Sequence, residues 1–173
     1  DHRDLHLSLR RQRQMCIRDS YRYLSEISDP EIPVINIVEM GVVRDVLFHG
    51  SKLEIKLTPT YSGCPAMDMI HQLVEEKLHS KGYNDVLVTL VYKPVWTTDW
   101  MSDETKEKLS RFGIAPPVGK VVSKKTLLNN EFVSCPQCGS KNTEMKSMFG
   151  STACKALYVC KKCLEPFDYL KCI

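Results

Sequence analysis

Two periods of hydrophobic and polar positions organise this chain. Leu53, Ile55 and Leu57 alternate with Lys52, Glu54 and Lys56, which predicts a half-buried strand with one wet face. Val42 to Leu47 is a second β-rich run, His49-Gly50-Ser51 between them is a turn, and the two runs therefore predict an antiparallel hairpin. From Pro65 to Lys81 the period becomes helical. Ala66, Met69, Ile70, Leu73, Val74 and Leu78 are expected to be buried, Glu75, Glu76, Lys77 and His79 exposed, with Gly82 as terminator. On this helix His71 and His79 read as solvated residues rather than ligands, and Met67 and Met69 as packing. Val86 to Val91 is apolar on both faces and predicts a central strand. Ser102 caps a further helix with Asp103 and Glu104 in its first turn and Gly113 at its end.

The connections carry their own signals. Tyr21, Leu24 and Ile27 lie at helical spacing, and Asp29-Pro30-Glu31-Ile32-Pro33 stops that helix. Asn36 stands three before Glu39, with Gly41 following, which reads as one capped helical turn. The loop from Tyr92 to Trp100 is dense in aromatics. Its Trp96 and Trp100 suit a lid over the small sheet or a wall beside the Cys64 loop. Residues 1–20 have no clear amphipathic period, and SLRRQRQMCIRDS resembles translated adapter sequence; they are read as a non-native or disordered segment and set aside, with Cys16, His2 and His6.

The expected fold class is therefore α+β: a small mixed sheet with helices over 21–113, followed by a small all-β ribbon over 135–173. Between them, 114–134 contains Pro116-Pro117, Gly119, Lys124-Lys125 and Asn129-Asn130 and reads as a linker, with Lys120 to Leu127 as a candidate strand.

Composition narrows the function classes. The chain has 173 residues, 43% hydrophobic and 26% charged, as in ordinary globular proteins. No apolar run approaches the roughly 18 residues that cross a bilayer, and no secretory h-region is visible, so no membrane partner is expected. Eight cysteines without a secretion signal point to a reducing, cytoplasmic setting and to metal or redox chemistry. The net charge of +3 is unevenly spread. Residues 21–113 carry ten basic and fourteen acidic side chains, a balance of −4, which argues against a nucleic-acid face there. Residues 135–173 carry six Lys and three acids, and that balance of +3 falls to +1 if four thiolates hold one divalent metal.

Two features carry chemistry. Cys135-Pro-Gln-Cys138 and Cys160-Lys-Lys-Cys163 are metal knuckles separated by 21 residues, enough for a short polar hairpin from Lys146 to Tyr158. Four thiolates give closed, tetrahedral coordination that suits structural zinc, and a module of this size needs the metal in order to fold. Cys154 and Cys172 are then further thiols, or else part of an iron–sulfur cluster or a redox pair, since S₄ coordination suits iron as well. The second feature is Ser62-Gly63-Cys64-Pro65. Pro65 suits the first helical position, which puts Cys64 at or beside the N-cap, where backbone N–H groups and the helix dipole favour thiolate. Cys64 is then a nucleophile or soft-metal ligand, or a buried inert cysteine at a tight turn.

Asp29-Pro-Glu-Ile-Pro, Asn36-Ile-Val-Glu-Met-Gly41, Ser62-Gly-Cys-Pro65 and Met101-Ser-Asp-Glu104 together resemble the α+β domain of SufT-type iron–sulfur assembly factors, over about 21–112. Trp96-Thr-Thr-Asp-Trp-Met101, Phe112-Gly-Ile-Ala-Pro-Pro117, Phe149-Gly-Ser-Thr-Ala-Cys-Lys-Ala-Leu-Tyr158 and Glu165-Pro-Phe-Asp-Tyr169 look like the PaaD family of phenylacetyl-CoA epoxidase systems, across both domains. The resemblance implies an accessory or maturation subunit in phenylacetate catabolism, not itself catalytic. It would assist iron or iron–sulfur loading of an oxygenase or reductase component, with Cys64 at the position linked to iron–sulfur handling. It implies other epoxidase subunits and iron–sulfur assembly proteins as partners, structural zinc and a transient iron or iron–sulfur cargo. In keeping with it, the chain has no Glu-x-x-His pair of the di-iron kind and no Gly-rich dinucleotide loop. Two alternatives stand beside this one: an interaction adaptor with a structural Cys64, and a thiol enzyme using Cys64 or a Cys154/Cys172 pair.

Overall fold

The computed structural model describes residues 2–117 and 133–171, with backbone alone over 2–12. In chain order the elements are α1 (His2–Leu24), β1 (Val43–His49), β2 (Lys52–Leu57), α2 (Ala66–Ser80), β3 (Val86–Leu90), a 3-10 turn (Thr98–Trp100), α3 (Asp103–Phe112), β4 (Ile114–Ala115), β5 (Thr143–Ser147), β6 (Lys155–Cys160) and β7 (Pro166–Leu170). They form an α+β architecture with two small sheets. Two compact units share the chain: residues 1–59 with 65–94, and residues 60–64 with 95–173. Cys172 and the candidate strand Lys120 to Leu127 lie outside the described residues.

The first unit is built on the sheet β1-β2-β3. β1 and β2 form the expected antiparallel hairpin, from Val43 opposite Leu57 to His49 opposite Lys52, with a bulge between Val43 and Asp45. Gly50 turns the hairpin at φ +69°, a conformation open to glycine at no steric cost. Leu53, Ile55 and Leu57 of β2 are wholly buried, as their alternation predicts. β3 lies parallel to β2, which requires the crossover that α2 supplies.

Two expectations are corrected here. β3 is an edge strand and β2 the central one; only Val88 of β3 is buried, and Leu87 is 37% exposed. On α2 the buried set is Ala66, Met67, Ile70, Val74 and Leu78, while Met69 is 54% exposed and Leu73 half-buried. The stripe is thus rotated toward Met67. Residues 1–20, set aside above as non-native or disordered, carry most of helix α1, with Ser20 and Leu24 buried at its C-terminal end. The Tyr83 hydroxyl donates to the Cys16 carbonyl at 3.4 Å, and Lys77 of α2 pairs with Glu26 at 3.1 Å.

Local signals hold elsewhere. Asn36 Oδ1 accepts from the N–H groups of Val38 and Glu39 at 3.0 and 2.9 Å, and Glu39 Oε2 accepts from Asn36 N–H at 3.1 Å. This is a reciprocal capping box on a single turn. Ser102 Oγ accepts from Thr105 N–H at 3.1 Å, and Gly113 closes α3 in the left-handed region at φ +93°.

The second unit is built on the sheet β4-β7-β6-β5. β5, β6 and β7 are successively antiparallel. Ile114–Ala115, placed in the linker by composition, instead form β4, parallel to β7 at Asp168 and Tyr169. The core of this sheet gathers Ala115, Val133, Ala156, Phe167 and Tyr169 with Cys135 and Cys160. The two Cys-x-x-Cys turns have matching backbones. Gly139 N–H donates to the Cys135 carbonyl and Leu164 N–H to the Cys160 carbonyl, each at 2.9 Å. Both turn-closing residues adopt positive φ, +69° at Gly139 and +66° at Leu164. Glycine does so freely, whereas leucine in this region costs about 1–2 kcal/mol.

Two outcomes are expected in chemical denaturation. Ile55→Ala, on the central strand, should cost about 2–5 kcal/mol, and Leu87→Ala, on the edge, should change stability by no more than about 0.5 kcal/mol. At the knuckles the signs should be opposite. Leu164→Gly should gain roughly 0.5–1 kcal/mol, the left-handed strain less the added unfolded-state entropy, and Gly139→Ala should lose about 1 kcal/mol.

Candidate functional site

The sequence points to one thiol in the α+β part and four in the ribbon, and the structure positions them by different means. The end of β2 is tied on both sides. Thr58 N–H donates to the Val42 carbonyl at 2.8 Å, and the Thr58 hydroxyl donates to the Val91 carbonyl just past β3. The chain leaves that point through Pro59 and the buried Thr60, and Gly63 turns it at φ +89°. Cys64 N–H closes the turn on the Tyr61 carbonyl at 3.2 Å. Pro65 follows with helical dihedrals, φ −69° and ψ −19°, immediately before α2. Cys64 therefore stands at the helix entrance and its side chain is half-buried. The opening turn of α2 also carries Asp68, an exposed carboxylate that takes up part of the dipole's favour for negative charge.

The loop Thr60–Cys64 belongs to the compact unit that also contains residues 95–173. In that unit Trp96 is fully buried and Trp100 half-buried, so Trp96 is a core side chain. Two residues on, Thr98 is also buried, and its hydroxyl has no hydrogen-bond partner among the described residues. A buried hydroxyl left without a partner costs about 1–3 kcal/mol. Sequence reasoning passed over Thr98. The available signal was a hydroxyl residue inside an aromatic loop, and that signal is weak.

The ribbon brings its four cysteines together. The ligand atoms of Cys135, Cys138, Cys160 and Cys163 all lie within 4.8 Å of one another. Cys135 Sγ is 3.7 Å from Cys163 Sγ, and Cys138 Sγ is 3.6 Å from Cys160 Sγ. A tetrahedron with metal–sulfur bonds of about 2.3 Å has edges of about 3.8 Å, so these two separations match its edges, and the four sulfurs lie close enough to close on one ion. Cys135 and Cys160 are buried, Cys163 half-buried and Cys138 exposed.

Local donors prepare the sulfurs for charge. Backbone N–H groups of Cys163 and Lys162 lie 3.5 and 3.4 Å from Cys160 Sγ. The Cys163 N–H is the largest influence on the Cys160 thiol and, with that of Lys162, brings it down to about 6. Cys163 goes the other way. The Glu165 N–H favours its thiolate, but burial and the sulfurs of Cys160, Cys138 and Cys135 outweigh that and push it up to about 12. Four close thiols cannot all ionise unaided, and a divalent cation removes that conflict.

Cys154 is not part of this cluster and lies in the turn immediately before β6. It is buried, its sulfur 3.0 Å from the Thr152 hydroxyl and its carbonyl accepting from Lys171 N–H. His71 and His79 are not brought together with any of the thiols; His71 Nδ1 lies 3.6 Å from Glu75. Among the described residues the four-cysteine group is the one cluster of metal-ligand side chains, and no helix is long and apolar enough to cross a membrane.

Comparison with known proteins agrees with both halves of this description. Residues 21–90 match the family model for iron–sulfur cluster assembly proteins, and residues 119–171 match that of the PaaD zinc beta ribbon domain. The D-subunit of a "Putative 1,2-phenylacetyl-CoA epoxidase" from Escherichia coli strain K12 is 47% identical over 157 residues, which is 91% of this chain and 93% of that protein. An "Fe-S protein maturation auxiliary factor" of Porphyromonas gingivalis strain W83 is 36% identical over 93 residues, 53% of this chain and 88% of that protein. A crystal structure of a DUF59 domain from Bacillus anthracis superposes with a TM-score of 0.53 at 29% identity, covering 57% of this chain and 94% of that one. An iron–sulfur assembly-type domain followed by a four-cysteine ribbon, in a chain that aligns almost end to end at 47% identity, places this protein in the PaaD family.

Proposed function

We propose that this chain is an accessory subunit of a phenylacetyl-CoA epoxidase system, and that it assists iron or iron–sulfur loading of an oxygenase or reductase component. The observation that carries the reading is the union, in one chain, of an iron–sulfur assembly-type domain over 21–90 and a PaaD-type ribbon over 119–171. In this reading residues 21–113 handle the cargo, 116–134 connect, and 135–173 form the ribbon together with β4. Cys64 is the working thiol. Its place at the entrance to α2, half-buried after a glycine turn, supports a soft ligand that meets its cargo and lets it go. One protein thiolate is too few to hold a cluster alone, so the cargo would be shared with a partner's ligands or with a small-molecule thiol.

Zinc in the ribbon has a structural part. Cys135, Cys138, Cys160 and Cys163 would hold it, and it would supply cross-linking of the two knuckles rather than reactivity, because four thiolates leave no open position. A second reading, an interaction adaptor, is favoured by the ribbon's own surface. Phe149 is 67% exposed and Leu164 is 75% exposed, and Leu164 keeps its strained backbone while contributing nothing to the core. The two readings are compatible if the ribbon docks and the first domain delivers.

Metal analysis of the purified chain should give about one zinc per chain. Replacing Cys135, Cys138, Cys160 or Cys163 by Ser should unfold the ribbon, because binding free energy is folding free energy there. The bound state carries fewer protons than the free thiols, so zinc affinity should fall as pH falls; competition with a chromogenic chelator across pH measures it. A metal-free chain with a folded ribbon would defeat the structural-zinc assignment.

Cys64→Ser tests the loading role. Serine keeps the volume and a capping oxygen, so the variant should fold and retain zinc. It removes the soft ligand, so cells carrying it should grow poorly on phenylacetate, with the oxygenase or its reductase under-loaded with iron. Wild-type growth with full metal loading would replace the loading role with the adaptor one.

A further inference from the structure

The outer side of β3 is open: in the order β1-β2-β3 no strand of the described residues pairs with it. Its backbone groups divide by parity. The Asp85 carbonyl accepts from Leu53 N–H and Val91 N–H donates to the Leu57 carbonyl, so 85, 87, 89 and 91 face β2. Val86, Val88 and Leu90 then aim their N–H and C=O groups outward. The strand contains no proline, no bulge and no charge, the devices that keep an edge from pairing. Leu87 and Leu90 remain 37% and 41% exposed, and Tyr92 is exposed just beyond.

We propose that β3 is a self-pairing edge, by which two copies of this chain join antiparallel about a two-fold axis into one continuous six-stranded sheet. Parity and charge together select one register. With Thr89 opposite its own copy, Val88 faces Leu90 as a hydrogen-bonded pair and Leu87 faces Val91. Val86 then faces Tyr92, a β-branched–aromatic pair, and exposed Asp85 faces exposed Lys93 twice, once at each end. The Thr89 hydroxyl donates to Glu54 at 3.2 Å and keeps lone pairs for its symmetry mate. Moving the register by the next allowed step in one direction sets Lys93 against Tyr83, and in the other against Leu87. Only the Thr89-centred register matches acid with base and apolar with apolar.

Sedimentation velocity of the zinc-loaded full chain, from about 1 µM to 1 mM, should show a concentration-dependent dimer, weak because an edge contact is small. Asp85→Lys and Lys93→Asp should each raise the dissociation constant about tenfold, since each sets like charges together at two symmetric places, and the double exchange should restore it. Both side chains are exposed, and unchanged circular dichroism and melting would show that the variants fold. A second measurement needs no variant. Carbodiimide coupling of an equimolar mixture of isotope-labelled and unlabelled chain should yield a mixed Asp85–Lys93 amide by mass spectrometry. A monomer throughout the range, or a dimer indifferent to both exchanges and lacking that cross-link, would overturn the proposal.

Discussion

Four sulfur atoms within 4.8 Å of one another are the constraint on which the C-terminal sheet depends. They cannot be separated from its hydrophobic core, because Cys135 and Cys160 belong to both. Cys160 is the last residue of β6, and its N–H donates to the Glu165 carbonyl, which turns the chain toward β7. On the strands that this turn joins, Phe167 and Tyr169 pack against Tyr158. A sheet of such short strands buries too little to stand by itself, so the covalent frame needs an ion to complete it.

The other unit answers a different constraint. It has a central strand whose inward side chains are wholly buried and a helix that must cross over to make β3 parallel. Thr58, at the end of the central strand, is tied to residues beside both neighbouring strands.

Features encoded by nearest neighbours were legible in the sequence. The Asn36–Glu39 box, the Ser102 cap, the Gly113 terminus and the four-cysteine spacing each state their geometry within a few residues. What depended on distant partners was not. The apolar stripe of α2 has two flanks, Met67 on one and Met69 with Leu73 on the other, and periodicity alone does not say which the sheet will cover. β3 is apolar on both faces without being central, since residue pattern describes faces and says nothing of edges. Two residues of β4 carry too little sequence to announce a strand, and their pairing is made by β7, more than fifty positions away. The buried hydroxyl of Thr98 is a property of its surroundings and leaves no mark in the chain itself.

The placement of β4 has a consequence for covalent continuity. α3 passes through Gly113 directly into β4, which is hydrogen-bonded to β7, while Ala115 and Val133 both enter the ribbon core. The chain is therefore anchored to the same sheet before and after residues 118–132. A break in the backbone within that stretch would therefore leave β4 and β7 on separate fragments that still meet through strand pairing and shared apolar contacts.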